Sequence, residues 1–116
     1  MQFSDSLKKR RQFQWVYKNG KSYVNRYLVM YLKENGLKIN RIGISVSKKV
    51  GNSIVRHRIT RWIRESYRLH EIMFNSGLDI IIVARVNAAG SDYHTIEKAL
   101  LHLGELHQIL DKDDFS

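Results

Sequence analysis

The sequence predicts a single mixed α/β domain, in which strands and amphipathic helices share one sheet. Three observations carry this reading. Residues 22–34 and 38–47 alternate apolar and polar side chains with the period of a half-buried strand. Residues 78–86 form a nearly unbroken branched apolar run, the pattern of a strand covered on both sides, as in parallel pairing. Between these lies a segment in which Val55, Ile59, Trp62 and Ile63 recur at helical spacing, so that strand, helix and strand make a βαβ unit. At 116 residues and 43% hydrophobic, the whole chain, 1–116, suffices for one core and one domain.

Taken in order, residues 1–9 have little pattern and are expected to be irregular, with Lys8 and Lys9 adding positive charge. A short helix is expected from about Arg10 to Lys18, closed by Asn19-Gly20 as a C-cap pair accommodating φ > 0. Phe13 and Tyr17 stand at i and i+4 on it and share a face. They suit either a core pair or a platform on which bases stack. Ser22 to Glu34 reads as one strand, with Leu28, Met30 and Leu32 on one face and Tyr27, Val29 and Tyr31 on the other. Asn35-Gly36 is the strongest hairpin turn in the chain. The next strand would bury Ile42, Ile44 and Val46 and present Arg41, Gly43, Ser45 and Ser47 as a small, polar, basic face.

The segment from Lys48 to Arg68 is the most distinctive. It holds seven Lys or Arg against the single acid Glu65. Gly51-Asn52 signals a turn, and Asn52 or Ser53 can cap the helix by accepting from backbone N–H groups. His57, Arg61, Arg64 and Arg68 fall opposite the apolar stripe with Arg58 at the edge, whereas Arg56 lands beside the stripe. A merely solvated helical face mixes Glu with Lys in i,i+4 pairs. Here the charges would repel unless a polyanion neutralised them. Arginine also outnumbers lysine on this helix, which suits forked hydrogen bonds to phosphate.

A linker near Asn75-Ser76-Gly77 precedes the apolar strand, and the general rule would make its βαβ crossover right-handed. Residues 87–90 read as loop. Ser91 or Asp92 would cap a final helix running to about Leu110, with Tyr93, Ile96, Leu100, Leu103 and Leu110 among its apolar positions. Residues 111–116 are polar and expected to fray.

Charge is divided unevenly. Residues 1–70 carry +14, residues 71–116 carry −5, and the chain carries +9. The anion-binding surface is therefore expected in the first 70 residues. With no cysteine, a disulfide framework and a thiolate metal site are excluded. No apolar run approaches the roughly 18 residues of a membrane span, and the basic start lacks the apolar stretch of a signal peptide. A cytoplasmic location follows as the expectation.

Ser45-Val-Ser-Lys-Lys-Val-Gly-Asn-Ser-Ile-Val-Arg-His-Arg-Ile-Thr-Arg-Trp-Ile-Arg-Glu65 resembles the signature of the protein subunit of bacterial ribonuclease P, named the RNR motif for Arg-Asn-Arg. The resemblance extends over nearly the whole chain, through Leu7-Lys-Lys-Arg-Arg11 with Phe13 and Tyr17, Asn25-Arg26 through Tyr31, Arg41-Ile-Gly-Ile-Ser45, Asp79-Ile-Ile-Ile-Val-Ala-Arg85 and Leu100 to Leu103. It implies an α+β two-layer sandwich of α-β-β-β-α-β-α order, shared with certain ribosomal proteins. Its four-stranded sheet would be flanked by helices, with a left-handed βαβ crossover in place of the general right-handed one. It also implies a division of labour. A catalytic RNA with its magnesium ions hydrolyses the phosphodiester joining the 5′ leader to tRNA, while the protein binds that RNA and the single-stranded leader.

By position, Lys48, Lys49, Gly51, Asn52, Arg56, His57, Arg58, Arg61, Arg64 and Arg68 become the contacts to the RNA subunit. Phe13, Tyr17, Tyr31 and Arg41 become the leader cleft. The chain departs from the family twice: His57 stands where Asn is usual and Thr60 where a basic residue is common. Neither a membrane nor an obligate protein partner is implied.

The residues argue against an independent nuclease site. Two-metal hydrolysis needs clustered carboxylates, and the basic half offers only Asp5, Glu34 and Glu65, on separate elements. His57, His70, His94, His102 and His107 have neither metal-ligand spacing nor the pairing that acid–base cleavage requires. Two readings remain: an RNA-binding subunit of ribonuclease P, or a stand-alone RNA-binding protein of ribosomal type.

Overall fold

A computed structural model describes residues 4–110. The elements are β1 (Ser4–Ser6), α1 (Arg10–Asn19), β2 (Lys21–Val24), β3 (Leu28–Glu34), β4 (Asn40–Ser45), α2 (Ser53–Leu69), β5 (Leu78–Ala84) and α3 (Tyr93–Leu106). Two 3-10 turns, Glu71–Met73 and Val86–Gly90, link the last three. The strands form one mixed sheet in the order β1-β4-β5-β3-β2. β4 and β5 are parallel and joined through α2, as the βαβ reading expects.

β5 is the centre of the structure because its apolar residues alternate between two separate cores. Leu78, Ile80, Ile82 and Ala84 join Leu28, Met30, Ile42, Ile59, Ile63, Tyr67, Ile96, Leu100 and Leu103 in the main core, under α2 and α3. On the other face, Ile81 joins Leu7 and Val16 in a small core under α1, with Phe13, Tyr31 and Val83 packed around it. At roughly 25 cal/mol per Å² of buried apolar surface, such a strand holds both layers to the sheet.

Several local expectations give way to tertiary pairing. The sheet has five strands rather than four, because Ser4–Ser6, expected to be irregular, runs parallel to residues 40–42 of β4. Nothing in Ser-Asp-Ser favours a strand. The pairing is held by the buried Leu7, whose N–H donates to the Ile42 carbonyl at 2.8 Å, and by a 2.7 Å bond between Ser4 Oγ and the Tyr67 hydroxyl. The single strand expected over 22–34 is a hairpin, broken where Asn25 Oδ1 accepts from the N–H groups of Tyr27 and Leu28. Tyr27 therefore lies outside the strand alternation and packs toward the main core.

Asn35-Gly36 does turn the chain, with Gly36 at φ 72°, but it makes no hairpin, since β5 lies between β3 and β4. Gly20 has extended backbone (φ −85°) instead of φ > 0. It is glycine for space: a Cβ there would meet the Val16 carbonyl oxygen at 2.6 Å and that of Leu32 at 2.8 Å. Residues 87–90 lie within a 3-10 turn instead of a loop. Asp92 caps α3 by accepting from Thr95 N–H at 2.8 Å, but the helix ends at Leu106. Gln108 takes φ 58°, and Leu110 folds back to pair with Phe74. The expectation for residues 111–116 falls outside the described residues, as does its counterpart for residues 1–3.

Two measurements check these packing assignments. Ile82 is fully buried in the main core, so Ile82→Ala is expected to lower unfolding free energy by about 2–5 kcal/mol in urea titration. His107 donates from Nε2 to the Met30 carbonyl at 2.8 Å, and burial lowers its pKa from the ordinary 6.5. Below about pH 6.5 the unfolded chain gains a proton that folded His107 refuses, so stability falls with pH until the lower folded value is reached. His107→Gln should remove that part of the decline.

Candidate nucleic-acid interface

α2 is built to display cations. Asn52 caps it, its Oδ1 accepting from Val55 N–H at 3.0 Å. Gly51 is required because a Cβ would stand 2.9 Å from a Val55 methyl. Ile59, Ile63 and Tyr67 are buried, while Val55 and Trp62 are half-buried, which places the apolar stripe as read from the spacing. His57, Arg58, Arg61, Arg64 and Arg68 are all exposed, as are Lys48, Lys49 and Asn52 just before the helix. No acid occupies the first turn, so its free N–H groups and the two lysines present an uninterrupted positive end.

Three positions differ in character from their neighbours. Arg56 is half-buried against β4, in a cleft of about 220 Å³ lined by Ile44, Val46, His57 and Thr60, and its Nε has no protein partner. Thr60 turns its hydroxyl inward, donating to the Arg56 carbonyl at 2.8 Å. Arg68 is committed to Glu65, one turn back, whose carboxyl it holds below the usual range. Arg68 therefore offers less free charge than Arg58, Arg61 or Arg64.

On the opposite face of the sheet, register sets three rows. Arg41, Asp79 and Lys33 form the first; Gly43, Ile81 and Tyr31 the second; Ser45, Val83 and Val29 the third, which continues to Val24 on β2. α1 covers the middle row. The Phe13 ring lies on Gly43, where a Cβ would come within 2.6 Å of it. Tyr17 meets Tyr31 edge-on with centroids 4.8 Å apart, and Phe13 lies 6.3 Å from Tyr17.

The three rings thus gather in one cluster but are not equivalent. Phe13 and Tyr31 are half-buried supports of the small core, and Tyr17 is 38% exposed beside Ser45, half-burial raising its hydroxyl pKa. Arg41 stands two rows from Ser45. Its Nε and Nη2 each donate to the Asp79 carboxylate at 2.7 Å, and Asp79 is 1% exposed.

Sequence reasoning named Asp79 within the nearly unbroken apolar run but gave it no role. It missed the exposed Trp15 on α1, whose ring takes the Lys33 ammonium at 5.8 Å, and the partly open apolar row, or furrow, Val24–Val29–Val83. A tryptophan off the Phe13–Tyr17 face was the one available signal. The two surfaces meet at the β4 edge, where Lys8 and Arg64 line one groove with Leu7, Ile42 and Ile44.

An α+β domain with an arginine-rich helix on one layer and an exposed tyrosine beside a partly open sheet face on the other fits an RNA-binding protein. Comparison with known proteins makes this specific. Residues 1–108 match the family model described as Ribonuclease P. A ribonuclease P protein component from Lachnoclostridium phytofermentans is 61% identical over 96% of each chain. Solved structures are similar too. The Staphylococcus aureus RNase P protein has TM-score 0.85 at 36% identity, over 91% of this chain and 97% of that one. The protein from Thermotoga maritima has TM-score 0.81 at 32% identity, over 87% and 96%. The chain belongs to the ribonuclease P protein family, the protein side of the endoribonuclease that matures tRNA 5′ ends. The stand-alone ribosomal-type reading is set aside.

Because Asp79 is buried beneath its ion pair, Arg41→Ala should cost about 3 kcal/mol of stability. Denaturant titration of Arg41→Ala against Arg41→Lys checks this, with the lysine variant retaining the larger share.

Proposed function

We propose that the chain binds the catalytic RNA of ribonuclease P through α2 and the turn from Lys48 to Asn52, and holds the single-stranded 5′ leader of precursor tRNA on the open sheet face beside α1. The carrying observation is that the two surfaces lie on opposite layers yet join at the β4 edge through Lys8 and Arg64. One protein can therefore touch both RNAs at once. Exposed guanidinium groups suit phosphate, and their binding releases counterions. The buried-side Arg56, with its unpartnered Nε, suits a phosphate or base edge entering the cleft beside Thr60.

On the other face, the exposed side of Tyr17 offers a stacking surface, and Ser45 adds a hydroxyl beside it. Asp79 pre-orients Arg41, which keeps its remaining N–H donors for the leader backbone. Hydrolysis is assigned to the RNA. Among the described residues no three His, Cys, Asp or Glu side chains converge as a cation site, and Asp5, Glu34 and Glu65 lie on three separate elements. The residues thus do not fit a protein-held catalytic magnesium, and the magnesium of the reaction is read as held by RNA and substrate phosphates. No helix among the described residues is long and apolar enough to cross a membrane.

Purified protein, catalytic RNA, magnesium and a 5′-extended precursor test the reading together. Protein alone should leave the precursor intact, and at low magnesium the protein should accelerate cleavage by the RNA. Cleavage by protein alone, or indifference of the RNA to the protein, would refute it. Tyr17→Ala should weaken binding of precursor, relative to mature tRNA, by about 1–3 kcal/mol. It is a cleaner probe than Phe13→Ala, which also opens the small core over Gly43. Arg58→Ala should weaken RNA-subunit binding and lower its log–log salt slope by about 1.

A further inference from the structure

The acidic C-terminal half has two cations among its described residues, Arg85 and Lys98, and both converge on the β2–β3 turn. Arg85 donates from Nη1 to the Asn25 carbonyl at 2.7 Å. Lys98 lines an open pocket of about 310 Å³ between this turn and α3, together with Arg26, Tyr27, Thr95 and His102. The pocket is rigidly framed. Asn25 Nδ2 donates to the Ala99 carbonyl at 2.9 Å and meets His102 Nδ1 at 3.2 Å, and Asn87 Nδ2 donates to the Arg26 carbonyl at 3.2 Å. With Nδ1 accepting from Asn25, a neutral His102 carries its proton on Nε2 and keeps that donor free. The Arg26 guanidinium lies over the Tyr27 ring, 5.6 Å from its centroid.

A flat ring bordered by three exposed polar or cationic side chains, in a cavity on the scale of one nucleotide, suits a base with its phosphate. Its position supplies the occupant. The furrow Ser45–Val83–Val29–Val24 crosses four strands, about 14 Å, and ends at Val24, which is 55% exposed and adjoins Asn25-Arg26. A strand running outward over this row reaches the sheet edge at this turn, where passing over β2 brings it to the pocket that α3 walls on the other layer.

We infer that the pocket between the β2–β3 turn and α3 is a subsite for one unpaired nucleotide of the precursor leader, lying beyond the stretch held beside α1. Lys98 meets its phosphate, and its base stacks on the Arg26 guanidinium that lies over the Tyr27 ring. This rests on the leader reading above, and the test separates the two. Holoenzyme is reconstituted with precursors of increasing leader length, each bearing 4-thiouridine at one leader position, and cross-links are mapped by peptide.

Positions that link to α1 or β3 should be followed, farther along the same leader, by a position linking to residues 25–27 or 95–102. Lengthening the leader past the furrow should tighten binding at least about fivefold, and Lys98→Glu, at an exposed position, should abolish that gain. Links to α1 and β3 with none at the turn would overturn the subsite and leave the leader reading standing. Links at neither place would overturn both. Links to the turn from the catalytic RNA, the tRNA body or an acidic protein would overturn the leader as occupant. An undiminished length gain in Lys98→Glu would overturn the role of the rim.

Discussion

Ile80, Ile81 and Ile82 are all fully buried, and three consecutive strand residues can be buried only if both faces of the sheet are covered. Every other feature follows from how that demand is met. The even positions lie under two long helices, which complete a deep core. The odd position lies under Leu7 and the ten residues of α1, which is centred on the middle row of the sheet and reaches the outer rows only through Trp15 and Tyr17. The thin layer thus leaves a furrow open beside Tyr17, and the thick layer supplies the rigid mount for α2.

The same arrangement separates charge from aromatic surface without isolating them. α2 spends its apolar stripe on the core and has arginines along the rest, so its cations are held on a fixed helix rather than on loops. β1 pairs only with residues 40–42 of β4. Beyond it the β4 edge carries both the Arg56 cleft and the groove of Lys8 and Arg64. Cations therefore stand at this edge on both sides of the sheet, as the proposed binding of two RNAs requires.

Much of this was legible in the sequence. α2, its Asn52 cap, the doubly covered β5 and the Asp92 cap announce themselves through local periodicity and capping chemistry. β1 could not be read, because Ser4–Ser6 pairs through backbone groups that carry no side-chain pattern. The break at Asn25 was hidden inside a good β-run, and Asn35-Gly36 suggested a hairpin between strands that the sheet order keeps apart. The second is a long-range outcome; the first is a local turn at Asn25 that Ala99 of α3 anchors from a distance. Within the candidate interface, rings and cations could be named by residue type, but their differing surroundings could not. Phe13 of α1 rests on a glycine of β4, Arg41 is bound by a buried aspartate, and Arg68 is bound by Glu65.

The central claim is that α2 and the sheet face beside α1 address different RNAs. The absence of cysteine allows a single introduced thiol to carry tethered iron–EDTA at one known point. Hydroxyl-radical cleavage of the assembled holoenzyme with precursor tRNA is compared for His57→Cys, on the exposed face of α2, and Val24→Cys, at the furrow's outer end. The account predicts cuts in the catalytic RNA from position 57 and in the 5′ leader from position 24. Cuts from both positions in the same RNA strand, or none in the leader from position 24, would contradict it.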